Sequence, residues 1–296
     1  MKIERLDAQF DTLIATDAVI EPIAEGFQFT EGPLWNDRSQ CLLFSDIPSD
    51  RIIKWSAESG IETYRSPSHF SNGLTFDGDH LMIACEHQSR SITRELADGS
   101  IKTLASHYKG KKLNSPNDVV AAPDGSILFT DPIYGLQAGN GGPAEQELAF
   151  QGVYRIKPGS SELELVTDSF ERPNGLAFSP DKKTLYIADT VRQHLRAFTV
   201  DENWRFGGGQ IWAELWDDSF PSRPDGLKVD LAGNVFCVGP GGVWIFNPKA
   251  DLLGRIYLDK KTSNLAWGED GHSLFITCSS DVYRIRCRTA GKIPPD

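Results

Sequence analysis

Residues 171–190, ERPNGLAFSPDKKTLYIADT, hold one complete copy of a unit that recurs along the chain. An oxygen-bearing side chain, Asn174, stands near its start; an apolar run, a turn-forming SPDKK and a second strand-like run, TLYIADT, follow. The same cue begins five other segments: Glu31 in EGPLW, Asn72 in SNGLTF, Asn117 in PNDVVA, Asp225 in PDGLKV and Ser263 in TSNLAW. The residue four places on repeats as well, as Trp35, Phe76, Phe178, Val229 and Trp267. Short-strand units recurring every ~40 to 55 residues are the pattern of propeller blades. In that architecture the first strand of each blade lines the central channel, so positions remote in sequence converge on one axis.

Working outward, the other apolar runs fall into blades. Blade one takes LLFSD and RIIKWS; blade two LMIACE, SITREL and IKTLAS; blade three SILFTD, GVYRIK and LELVTD. Blade four takes TLYIADT and HLRAFTV, with RFGGGQ read as a Gly-rich turn; blade five NVFCVG, GVWIFNP and LLGRIYL; blade six SLFITC and DVYRIRC. The last blade is one strand short, which would leave an unpaired edge. Residues 18–26, AVIEPIAEG, belong to no repeat and are expected to supply the missing outer strand, where Pro22 is tolerated. The reading is therefore an all-β chain, one domain over 1–296, a six-bladed β-propeller closed by an N-terminal strand, with 1–17 as an extension. No segment carries a sustained helical period. Residues 135–149, GLQAGNGGPAEQELA, interrupt blade three with a loop of the length used for lids and binding loops, or for a plain surface excursion.

The composition, 40% hydrophobic and 24% charged with 27 Gly and 17 Pro, is that of a globular protein rich in tight turns. A net charge of −11 argues against nucleic acid or an anionic membrane as partner, since phosphates would be repelled. The N-terminal MKIERLDAQFDTL lacks a signal-peptide core, and no run approaches the ~18 apolar residues of a membrane helix, so a cytoplasmic location is expected. Five scattered cysteines without a CxxC read as buried free thiols; only Cys278 and Cys287 could face each other, on strands of the last blade.

The motifs GxSxG, HExxH, the P-loop and the EF-hand loop are absent, and GPGG at 239–242 leads into another strand, unlike a dinucleotide fingerprint. The ring is the chemical feature. Its strongest donors, Glu31, Asn117, Asn174 and Asp225, offer two carboxylates and two amide oxygens, a set suited to hard cations such as Ca²⁺ or Mg²⁺. Two carboxylates held close in a desolvated channel repel, and a divalent ion resolves that conflict. Taken singly, PNG or PDG is only a turn signal; the phased set, together with Glu31, a residue type turns do not favour, carries the argument.

With EGPLW, HFSNGLTFDG, CEHQSR, KLNSPNDVV, DGSILFTDPIYGL, ERPNGLAFSPDKKTLYIADT, PDGLKVDLAGNVFCVGPGGVWIF and SNLAWGEDG, the chain resembles the gluconolactonase, senescence-marker protein (regucalcin) and luciferin-regenerating enzyme family, and its bacterial gluconolactonase branch in particular. The resemblance implies a six-bladed propeller with one divalent metal in the channel and lactone hydrolysis as its activity. It puts metal ligands at Glu31, Asn174 and Asp225, and at Asn117 the residue that touches metal or substrate. Some animal members carry a sugar-binding Arg two places before that Asn; here the position is Ser115.

The function expected is hydrolysis of an aldonolactone such as glucono-1,5-lactone, the metal polarising the carbonyl. The catalytic candidates are Asp225, as ligand and general base, and Asn117, orienting carbonyl or water. Asn117, Asn72, His87 and Tyr134 are the candidate sugar contacts, although for His87 the reading as an ordinary partly buried structural histidine comes first. Calcium is the cofactor expected first, with magnesium, manganese or zinc as alternatives, and the partner is a small-molecule sugar lactone. The rival readings are a phosphotriesterase or aryl-esterase on a related metal propeller, and a non-catalytic calcium-binding or interaction propeller.

Overall fold

A computed structural model describes residues 1–160 and 162–295. Among these residues six sheets form the blades, each of antiparallel strands, and a seventh is the small hairpin of His107–Tyr108 with Lys111–Lys112. Blade one comprises Thr30–Asn36, Cys41–Asp46, Arg51–Ser56 and Gly60–Arg65. Blade two comprises Ser71–Phe76, Met82–Glu86, Ser91–Glu95 and Ile101–Ala105. Val119–Ala121, Ile127–Asp131, Gln151–Ile156 and Leu163–Phe170 build the third, and Pro173–Phe178, Thr184–Asp189, His194–Val200 and Phe206–Glu214 the fourth. The fifth runs Leu227–Val229, Val235–Gly239, Gly242–Phe246 and Leu252–Tyr257, and the sixth Thr262–Gly268, Ser273–Cys278 and Asp281–Arg286.

Ile20–Glu25 pairs antiparallel with Asp281–Arg286, in register from Ile20 opposite Ile285 to Glu25 opposite Asp281. That is the closing strand expected from residues 18–26, with Pro22 on the outer edge as its missing N–H requires. Two expectations are corrected. RFGGGQ is not a turn: Phe206–Glu214 is the outer strand of blade four, and register shifts along its pairing absorb Gly208 and Gly209, both at φ 77°. Residues 1–17 are more than an extension, because Lys2–Arg5 adds a fifth strand to blade five and Phe10–Leu13 forms a short helix packed on the core.

Each blade has two apolar faces, since successive side chains on a strand point to opposite sides. Met82 and Ala84 pack toward blade one, whereas Ile83 and Cys85 pack toward blade three. Six apolar clusters result, one at each blade-to-blade interface. At the closing interface Trp35 stacks on Phe275 at 5.2 Å between centroids. All five cysteines are buried and free. No described helix is long and apolar enough to cross a membrane.

Candidate active site at the propeller axis

The first strand of a blade loses its pairing where it reaches the axis. Register shifts fall between Glu31 and Leu34, Ser71 and Leu74, Pro173 and Leu176, and Thr262 and Asn264, while in blades three and five the strand begins only after Asn117 and Asp225. Such bulges re-aim side chains, and here they turn the ring residues inward. Backbone hydrogen bonds then join neighbouring blades, from Gly73 N to Asn117 O and from Gly226 N to Ser263 O, both 2.8 Å.

Acids ending the second strands brace the approach to the ring. Asp46 accepts from the N–H groups of Gln28 and Phe29, Asp131 from Asn114 N at 2.8 Å, and Asp189 from Glu171 N and Arg172 N. The braced residues lie two or three places before Glu31, Asn117 and Asn174. Blade two differs, because Glu86 bonds instead to Arg65, His69, Ser89 and Thr93.

Glu31, Asn72, Asn117, Asn174 and Asp225 are all buried, and with His87 and Tyr134 they line one cavity of about 610 Å³. Every site residue expected from the sequence therefore lies around a single space. Ser263 does not: its Oγ is turned to Thr30 O and Thr277. Its neighbour Asn264 reaches the ring instead, donating through Nδ2 to Glu31 Oε2 at 3.0 Å.

The amides are pre-oriented. Asn174 Nδ2 donates to Thr190 Oγ1 at 3.0 Å, and Thr190 donates on to Pro224 O, which leaves Asn174 Oδ1 for the cavity. Asn72 Nδ2 lies 3.3 Å from His87 Nε2, and His87 Nδ1 is 3.0 Å from Asn140 O. An imidazole donating from Nδ1 and accepting at Nε2 satisfies both contacts. Burial lowers the His87 pKa to about 4, so the ring is neutral near pH 7. The loop at 135–149 is docked rather than free: besides Asn140, Leu148 enters the core and Glu147 pairs with Arg90.

Burial, opposed by the Gly32 N–H and reinforced by the Asp118 charge, raises the Glu31 pKa to about 7. Burial and then the Glu31 charge hold Asp225 well above the usual carboxylate range. Asp118 was missed by sequence reasoning. It is buried, accepts from Val119 N through Oδ1, and keeps a buried Oδ2 without a partner. A signal existed: after the ring residue stands Gly32, Gly73, Gly175 or Gly226 in four blades, but Asp118 and Asn264 in the other two. The small residues make room, since a Cβ on Gly226 would overlap Asn264 Oδ1 and one on Gly32 would overlap Asn72 O. Arg172, Thr190, Arg223 and Lys261 also line the cavity and were not anticipated.

Among the described residues no three His, Cys, Asp or Glu side chains group as a metal site by themselves. The arrangement here is mixed, two ring carboxylates with amide oxygens. Mutually destabilised carboxylates, oriented amide oxygens and an orphaned Asp118 oxygen fit a hard divalent cation.

Residues 29–280 match the family described as the SMP-30/Gluconolactonase/LRE-like region. The gluconolactonase of Zymomonas mobilis is 32% identical over 98% of this chain and 87% of its own length. Regucalcin of Bos taurus is 26% identical over 85% of this chain and 83% of its own. The solved structure of a gluconolactonase from Xanthomonas campestris superposes with a TM-score of 0.90 at 33% identity, covering 97% of this chain and 95% of that one. With the ring at the axis and agreement over nearly its whole length, the chain belongs to the SMP-30/gluconolactonase/LRE-like family.

Proposed function

We propose that the protein is a metal-dependent lactonase that opens a sugar lactone of the glucono-1,5-lactone kind to the aldonic acid. The observation that carries this reading is the convergence of Glu31, Asn117, Asn174 and Asp225 on one cavity. Relatives named gluconolactonase support the reaction class. The proposed ion, calcium first among the candidates, would be held by Glu31, Asn174 and Asp225, with Asn117 beside them. When bound, it supplies Lewis-acid polarisation of the lactone carbonyl and charge compensation for the oxyanion.

The chain's own residues do the rest. Thr190 fixes Asn174 through its amide nitrogen, and Asn264 fixes Glu31 through Oε2. Asn117, whose side-chain amide makes no hydrogen bond within the protein among the described residues while its backbone N–H donates to Thr130 O, orients the carbonyl or the attacking water. Asp225 accepts the proton of that water as it adds to the carbonyl carbon. As the carbonyl re-forms the ring C–O bond breaks, and the leaving alkoxide takes that proton from Asp225 to become the hydroxyl of the acid. Asn72 and Tyr134 face the sugar hydroxyls, while His87 acts through Asn72 by holding its amide.

Lactone opening followed after chelation, with metal add-back, tests the reading. Activity should vanish in the stripped protein, return with calcium, and fall at least ~100-fold in Asn174→Ala and Asp225→Ala. Undiminished turnover in the stripped protein would overturn it.

A further inference from the structure

Two residues before each ring residue stand, in blade order, Phe29, Phe70, Ser115, Arg172, Arg223 and Lys261. The cations thus occupy one register in three consecutive blades, and all three line the cavity. Arg172 and Arg223 are half-buried and Lys261 is exposed, whereas the ring beneath is buried, so they stand between the floor and solvent. Ser115, at the same register in blade three, is turned away, its Oγ bonded to Pro132 O and Gly135 N.

None of the three has a carboxylate within ion-pair distance among the described residues. Arg51, Arg94, Arg155 and Arg284, by contrast, are each ion-paired. The Arg172 guanidinium lies over the Tyr134 ring at 5.1 Å, with its Nε buried and unpartnered. Arg223 uses Nη1 on the carbonyls of Phe220 and Ser222, both at 3.1 Å. The Lys261 ammonium lies 5.2 Å from the centre of the Phe29 ring. A neutral sugar would leave the rim uncompensated.

We propose that Arg172, Arg223 and Lys261 form an anion subsite, so that the substrate is an acidic sugar lactone carrying a phosphate or a free carboxylate remote from the lactone carbonyl. The proposal rests on the lactonase reading. With the carbonyl directed at the ring, the far end of the sugar reaches the tier above it, on the side of blades four to six. Guanidinium groups suit this task because their donors match the oxygens of phosphate and carboxylate.

The test compares kcat/KM of the metal-loaded enzyme on two matched pairs. These are 6-phosphoglucono-1,5-lactone against glucono-1,5-lactone, and D-glucaro-1,4-lactone against D-glucono-1,4-lactone. The acidic member should be preferred by at least about tenfold in one pair, as charge-assisted hydrogen bonds allow. Which pair responds separates phosphate from carboxylate. In the Arg172→Gln/Arg223→Gln protein, and more weakly in the exposed Lys261→Gln, that preference should shrink, mainly through KM. Equal use of acidic and neutral members in both pairs, or a preference that survives all these changes, would overturn the anion subsite and leave the lactonase reading standing. Failure to open any of the four lactones above the spontaneous rate would overturn both.

Discussion

At the level of single residues, the ring was readable because six segments share one phase, and Glu31, Asn117, Asn174 and Asp225 stand at equivalent places in it. Asp118 and Asn264 were not, because each looks like an ordinary turn or strand residue until the glycines of the other blades show how little space the axis leaves. Asn264→Ala removes the Nδ2 bond to Glu31 while leaving every ring oxygen present. Metal affinity measured by calorimetry should fall by about 10- to 100-fold, the usual effect of losing a partner that orients a ligand; unchanged affinity would show that Glu31 needs no such support. His87 gives a separate expectation. Its folded-state pKa, about 4, lies below the ~6.5 of an unfolded histidine, so the unfolded chain takes up the proton first as pH falls. Full stability is present above pH ~6.5, and about 3 kcal/mol is lost on descending to pH ~4. Denaturant melts of wild type and His87→Gln across that window should differ in slope, the variant being flatter; parallel curves would mean that His87 takes up its proton in the fold.

Among the elements, strands with alternating or continuous apolar runs were legible and Gly-rich ones were not. RFGGGQ carries three glycines in a row, which reads as a turn, yet the outer strand of a blade tolerates bulges because only one side of it is paired. Gly60–Arg65 is largely exposed and polar, so its period was too weak to mark the outer strand of blade one. The acids ending the second strands in SD, TD and AD pairs sit in plain view in the sequence, but their role depends on the bulged first strand lying alongside. Asp189 alone accepts from the N–H groups of Glu171, Arg172, Val191 and Arg192. Asp189→Ala leaves these donors without their acceptor and should cost about 3 kcal/mol or more. It should also lower turnover, because the segment carrying Arg172 and leading to Asn174 loses its brace. A melting temperature and kcat both equal to wild type would remove this role.

For the molecule as a whole, closure is the defining event. Chain ends remote in sequence meet in blade six, where Arg284 pairs with Glu21 at 2.7 Å and Trp35 of blade one stacks on Phe275. The ion pair is part-exposed and contributes at most about 1 kcal/mol, whereas emptying a buried aromatic site costs about 3 to 5 kcal/mol. Phe275→Ala should therefore lower stability far more than Arg284→Ala in equilibrium unfolding; the reverse order would place the closing energy in the electrostatics. The propeller itself was legible from phase alone, while the charge asymmetry of the rim became visible only when blades four, five and six were set side by side. All of the proposed chemistry depends on the inner ends of blades one, three, four and five delivering the oxygens of Glu31, Asn117, Asn174 and Asp225 to one point. The most direct measurement is an anomalous-difference map from crystals of the protein soaked in Mn²⁺ as a calcium surrogate. A single strong peak within about 2.6 Å of oxygens from Glu31, Asn174 and Asp225 is the expected result; a map with no peak at the axis, or with the ion bound only at the outer surface, would contradict it.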